Sequence, residues 1–347
     1  MIPGQPHSTS ADQPQGASPG GDATAPWPAD AWQRELKRSI RTGAELLRLL
    51  GLGPDRGCIA NPDFPVRVPR PYIARMRRGD ADDPLLRQVL PSPLEAESAS
   101  GFSDDALAEA DAMVDTGLMQ KYAGRALLIA SGTCAVNCRY CFRKHFPYAE
   151  HRQASAFPAL SAVRRDVTIS ELILSGGDPL MLSDSHLAGL VTQIGEIEHV
   201  VRLRVHTRTP VVIPQRVTAG LIETLRNARQ RVVIVLHFNH PREIDDDCRR
   251  ATRALAEFTL LNQSVLLRGV NDAADTLAEL SERLFDAGVL PYYLHMPDRV
   301  AGTAHFNVDD AQAVAIHRAL AAKLPGYLVP RLVRERPGAT AKELLCP

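Results

Sequence analysis

Short apolar runs alternate with longer amphipathic segments along most of this chain. The runs fall at 126–130, 172–174, 200–205, 232–236, 260–267 and 289–294. After the first they recur about every 30 residues, the length of one β-strand plus one helix. The segments 183–197, 218–228, 245–258 and 275–287 read as the intervening helices, and 308–324 as a closing one. Ser183 and Thr218 each stand just ahead of a helical pattern and have N-cap chemistry. Six such units build either an open doubly wound sheet or an incomplete barrel, and periodicity alone does not choose.

The polar residues choose. Chemically capable side chains cluster just beyond each apolar run, at the predicted C-terminal ends of the strands. The first run leads into a cysteine loop and the second into Ser175-Gly176-Gly177-Asp178-Pro179. The third leads into His206-Thr207-Arg208 and the fourth into His237-Phe238-Asn239-His240. The fifth carries Asn262, Gln263, Arg268 and Asn271, and the sixth leads to His295 and Asp298. In parallel α/β folds sites are built at that edge. Six units feeding one mouth fit a barrel better than a sheet with a single crevice.

The ends of the chain read differently. Residues 1–27 hold almost no large apolar side chain and are predicted to be a disordered tail. Residues 28–120 are expected to form an N-terminal helical extension, with a helical pattern from Trp32 to Leu50 and a Pro- and Arg-rich stretch at 62–101. The barrel would then span 121–325, and 326–347 would be a C-terminal segment. Forty basic and forty acidic side chains cancel, so the field of a nucleic-acid binder is missing and small-molecule chemistry is favoured. No apolar run is long enough to cross a bilayer, and the N-terminus lacks the pattern of a secretory signal. Three of the six cysteines crowd into 134–141, a poor disulfide framework and a good metal site, which argues for a reducing cytoplasm.

That crowding is the strongest chemical signal. Cys134, Cys138 and Cys141 form C-x3-C-x2-C. Three thiolates on one short loop can hold three irons of a cubane cluster and leave the fourth open to a ligand. Zinc is the rival: it asks for a fourth ligand, for which His145 is the nearby candidate. Cys58, Cys248 and Cys346 read as ordinary thiols.

The cysteine motif resembles the signature of radical S-adenosylmethionine (SAM) enzymes, whose partial (βα)6 barrel matches the six units. Gly176, Gly177 and Asp178 resemble the family's glycine-rich motif, which receives the amino group of SAM. A narrower resemblance, to lysine 2,3-aminomutases, runs from about Val66 to Lys342. It is carried by Lys121-Tyr-Ala-Gly-Arg125, Arg208-Thr-Pro-Val-Val-Ile-Pro-Gln-Arg, His237-Phe-Asn-His-Pro and Asn262-Gln-Ser-Val-Leu-Leu-Arg-Gly-Val-Asn-Asp. Cys134 to Tyr148 and Tyr292-Tyr-Leu-His are most similar to the bacterial branch that makes β-lysine for elongation factor P, as is an end five residues after Lys342.

The resemblance implies an isomerase that converts L-lysine to β-lysine, with a [4Fe-4S] cluster, SAM and pyridoxal 5'-phosphate (PLP). It implies PLP attachment at Lys342 and a substrate carboxylate clamp at Arg143. Asp298 and Glu335 would take the distal ammonium, Lys121, Arg125 and Arg208 the PLP phosphate, and His237 and Gln263 would line the cofactor site. Implied partners are an electron donor of flavodoxin or ferredoxin type, elongation factor P and its lysyl ligase. Free β-lysine for another pathway, a glutamate-type mutase and a non-catalytic zinc-binding module are the competing readings.

Overall fold

The computed structural model describes residues 26–53, 64–151 and 157–346; all but the last two residues of the expected tail, and Cys58, lie outside them. Ten strands form one sheet in strict chain order. They are β1 (Met113–Asp115), β2 (Leu118–Tyr122), β3 (Arg125–Ser131), β4 (Glu171–Gly176), β5 (Arg202–Thr207), β6 (Arg231–Leu236), β7 (Thr259–Val265), β8 (Leu290–His295), β9 (Arg331–Arg334) and β10 (Glu343–Leu344). Strands β3 to β9 are parallel, β2 and β10 pair antiparallel with β3 and β9, and β1 pairs antiparallel with β2 at the edge. An order that never reverses puts every right-handed crossover helix on the same face. The sheet therefore curls with helices outside and a hollow inside, as a partial barrel, and has no switch point.

Side-chain alternation divides the two faces. Leu172 and Leu174 on β4, Leu203 and Val205 on β5, and Val232 and Ile234 on β6 join one core beneath the helices. Their neighbours Ile173, Ser175, Arg204 and His206 border the central cavity instead. The helices follow local signals. Ser183 accepts from His186 N, Thr218 from Leu221 N and Asp245 from Cys248 N, capping Asp184–Gly195, Ala219–Arg226 and Asp246–Ala254. Among the described residues no helix is long and apolar enough to cross a membrane.

Three features depart from the sequence reading. The stretch from Trp32 to Leu50 is two helices, Ala31–Lys37 and Gly43–Leu49. Between them Ile40 bridges Val68 through two backbone hydrogen bonds, and Thr42 caps the second helix in extended conformation. Trp27 is ordered: its N–H donates to Val217 O, and the Arg250 guanidinium lies 4.2 Å from its ring centre. Beyond the six expected strands, β9 adds a seventh parallel one and β1, β2 and β10 complete the edges. Strand β1 begins at Met113, so the sheet starts inside the stretch read as helical extension.

The extension has a visible job. Trp32, Ile40, Leu46, Tyr72, Leu85 and Val89 share a core with Ala135 and Val136 of the cysteine loop and Val212 and Ile213 after β5. Arg67 donates to Cys134 O at 2.8 Å, and Asn137 donates to Arg67 O and Pro65 O. The cysteine loop is thus clamped from outside the barrel.

Candidate active site

A cavity of about 450 Å3 opens at the C-terminal ends of the parallel strands. All fifteen residues singled out from the sequence border it: Cys134, Cys138, Cys141, Arg143, Gly176, Gly177, Asp178, Lys121, Arg125, Arg208, His237, Gln263, Asp298, Glu335 and Lys342.

At one end lie the three cysteines. Burial pushes the Cys134 thiol well above its ordinary value and Cys141 up to about 12, and the neighbouring sulfurs add to both. Sulfurs gathered in a desolvated loop ionise together only if a cationic centre accompanies them. Among the described residues no three His, Cys, Asp or Glu side chains converge as ligands of a single ion would. A cubane does not require it, because each cysteine takes a different iron. His145 is turned elsewhere, with its Nε2 at 3.2 Å from Ala301 O.

Gly176 and Gly177 serve this loop. A Cβ on Gly176, whose φ is +110°, would sit 2.4 Å from Ser131 O; one on Gly177 would sit 2.5 Å from Thr133 O. The close approach these glycines permit is therefore to the entrance of the cysteine loop. Asp178 is likewise committed to the protein. Its oxygens accept from Leu180 N, Thr207 Oγ1, Arg208 N and Thr209 N, tying the loops after β4 and β5 together.

Arg143 differs from expectation. Its Nε and Nη2 are taken bidentately by Glu109 at 2.7 and 2.9 Å, leaving Nη1 near Ser175 Oγ and Gly176 O at 3.2 and 3.3 Å. The planar fork expected for a substrate carboxylate is thus filled by a protein carboxylate. Glu109 was missed because it lies in irregular chain, right after Ala108 at φ +48°. No periodic or motif signal marks it.

Arg208 also departs from its predicted place. It lies with the cysteine loop, and donates to Cys138 Sγ, Gln88, Tyr72 and Glu243. These partners hold it at the cluster end, away from the Lys121 and Arg125 hairpin.

At the other end the hairpin of β9 and β10 sets the geometry. Glu343 pairs with Arg334, so Lys342 and Glu335 face each other one step beyond the ladder and form an ion pair. Glu335 also accepts from Lys121 at 2.8 Å, and Lys121 lies 3.1 Å from Glu109. Cation and anion thus alternate from Arg143 to Lys342 across the gap between the sheet's edges. Burial opposes ionisation of Glu335, yet Lys342 and Lys121 hold its carboxyl down to about 2. Asp298 goes the other way: burial, then the nearby Glu335, raises it to about 7. Among the described residues its carboxylate has no hydrogen-bonding or ion-pair partner.

The wall between the two ends is polar, and its histidines are held neutral. Burial pushes His237 and His295 down to about 3, helped by Arg208 for the first and Lys342 for the second. His237 Nε2 and Gln263 Nε2 are 2.9 Å apart. Tyr122 Oη, Arg125 Nε, His206 Nε2 and His295 Nε2 are buried without a hydrogen-bond partner among the described residues. Unpaired donors between cationic side chains, with a lysine at hand, suit a phosphate-bearing aldehyde such as PLP. The cysteine end suits an iron–sulfur cluster with one open iron. His206 and His295 were visible in the sequence as strand-end residues, though without a role.

A curled parallel sheet with C-x3-C-x2-C on its first βα loop, opening into such a cavity, defines a radical SAM enzyme. No protein-family model matches the sequence. The chain is 49% identical over 319 residues to the L-lysine 2,3-aminomutase of Escherichia coli (strain K12), covering 90% of this chain and 93% of that protein. It is 46% identical to the one from Haemophilus influenzae, covering 90% and 95%, and 32% identical to that of Clostridium subterminale, covering 91% and 78%. Of solved structures, a radical SAM methyltransferase from Sphaerobacter thermophilus aligns at TM-score 0.44 and 18% identity, covering 62% of this chain and 68% of that one. That likeness is too distant to add weight.

The chain belongs to the L-lysine 2,3-aminomutase family. Its members are isomerases, and the family's cofactors are a [4Fe-4S] cluster, SAM and PLP.

Proposed function

We propose that this enzyme moves the α-amino group of L-lysine to the β-carbon, and that the β-lysine formed is consumed in modifying a lysine of elongation factor P. One observation carries the substrate. Of the carboxylates on the cavity wall, Glu109, Asp178 and Glu335 are committed to protein donors, while Asp298 has none among the described residues. A half-buried carboxylate that faces the cavity, with no partner for its oxygens among the described residues, is a place for a cationic ligand. A second amino group at the far end of the substrate is such a ligand.

When bound, the cofactors supply a carbon-centred radical and an electron-accepting imine. The chain's residues bind and orient. Lys342 is the attachment point for PLP, with Lys121 and Arg125 beside its phosphate, and Cys134, Cys138 and Cys141 are the cluster ligands. Glu335, paired with Lys342 and Lys121 and lying beside Asp298, would be a second acceptor for the substrate's distal ammonium. Arg143, reaching the cavity through Nη1, places positive charge where the substrate carboxylate would lie. The SAM site runs over Gly176 and Gly177 beside the cysteines, with His237 and Gln263 opposite and Asp178 bracing the loops beneath. An external one-electron donor of flavodoxin or ferredoxin type would reduce the cluster.

The elongation factor P role rests on the resemblance of the 134–148 and 292–295 segments to that branch. The test is anaerobic incubation with dithionite, SAM and L-lysine, followed by elongation factor P and its lysyl ligase. The reading requires β-lysine and a matching mass increment on the factor. β-Lysine without the increment would leave the mutase and remove the translation link; no β-lysine would remove the lysine pocket.

A further inference from the structure

Arg208 is one of the most thoroughly bonded side chains in the molecule, and only one of its bonds points at chemistry. Its guanidinium is buried between β5, the extension and the cysteine loop. Nη2 donates to Gln88 Oε1 at 2.7 Å, Glu243 Oε1 at 2.8 Å and Tyr72 Oη at 3.2 Å. Glu243 is itself anchored by Tyr72 Oη at 2.8 Å and by the backbone N–H groups of Asn239 and His240 at 2.6 and 3.1 Å. These bonds hold the guanidinium plane whatever the thiol does. Nη1 then lies 2.8 Å from Cys138 Sγ and also donates to Tyr140 Oη.

We propose that Arg208 sets the reduction potential of the cluster, raising it through an N–H···S bond and a fixed positive charge at Cys138. This rests on Cys138 being a cluster ligand. A cluster held by three thiolates carries net negative charge, and uptake of one electron from an external donor adds one more. A cation that cannot move away favours the more negative, reduced state, and a donor on a ligand sulfur acts in the same direction. Arg208 is thus a positioning residue for electron entry. It lies away from the Lys342 end of the cavity.

The test uses the full chain, anaerobically reconstituted, without SAM or lysine. The reduced cluster is followed by electron paramagnetic resonance during a dithionite titration. Arg208→Gln alone would strand Glu243 as a buried unpaired charge, so it is made together with Glu243→Gln, which removes the pair as a unit. Arg208→Lys keeps the charge and loses the fork. With full iron content, the double variant is expected to show at least about a tenfold lower reduced-to-oxidised ratio at fixed potential, ~59 mV for one electron. Arg208→Lys should fall between it and the parent. An unchanged midpoint in an iron-replete double variant overturns the proposal. So does loss of the cluster from both variants, which would make Arg208 an assembly residue. Should Cys138→Ala keep its full iron, the ligand assignment fails instead.

Discussion

Replacing Asp298 by Asn keeps its shape and removes its charge, which makes it the cleanest probe of the lysine pocket. Truncating one partner of a buried, hydrogen-bonded charge pair costs about 2–5 kcal/mol. At 1.4 kcal/mol per decade that is a loss of roughly 30-fold to several thousand-fold in kcat/KM for lysine. The pH dependence is a second, independent readout. Burial and Glu335 raise Asp298 to about 7, so in the free enzyme the carboxylate takes up a proton as pH falls through neutrality. kcat/KM should therefore drop about tenfold per unit on the acid side, and that limb should vanish in Asp298→Asn. Stability moves the opposite way. A carboxyl raised from 3.8 to about 7 binds its proton more tightly when folded, so its contribution is present at low pH and lost as pH rises through 7. Asp298→Asn should stabilise the cofactor-free protein above neutrality by at most about 4 kcal/mol, seen as a higher melting temperature, and change it little in acid. The assay is β-lysine formation by mass spectrometry across the neutral range, paired with thermal unfolding. An unchanged KM with the acid limb intact would refute the pocket.

Lys342→Ala should yield protein that purifies without the visible absorbance of bound PLP yet keeps its iron. Gly176→Ala puts a Cβ 2.4 Å from Ser131 O at a φ of +110°, and should abolish cluster incorporation while far-ultraviolet circular dichroism stays near that of the parent. Glu109→Gln breaks a bidentate pair buried with Arg143 and should cost about 3–5 kcal/mol in denaturant unfolding at neutral pH. Arg143 and Lys121 hold the Glu109 carboxyl below its usual range against the opposing effect of burial. Its contribution is therefore present above the unfolded value and lost in acid, so the two proteins should converge as pH falls.

The amino-acid sequence by itself determined the parts that depend on neighbours in the chain. Six parallel strands and five of their helices were legible because burial on alternate faces and the N-caps Ser183 and Thr218 are local patterns. The cysteine loop was legible because its ligands lie within eight residues. What failed was short or distant. Strand β9 is Arg331-Leu-Val-Arg334 and β10 has two residues, too short to show a period, and both exist because the strand beside them offers an open edge. Ile40 interrupts a helical pattern only because Val68 arrives to pair with it. The fork of Arg143 was assigned to a substrate because Glu109, 34 residues earlier, gives no sign in the sequence that it turns inward. Arg208 was assigned to a phosphate, although Gln88 and Glu243, 120 residues before it and 35 after, draw it to the cysteines. Which charge meets which is settled by chain closure over such separations, and that information exists only in the folded protein.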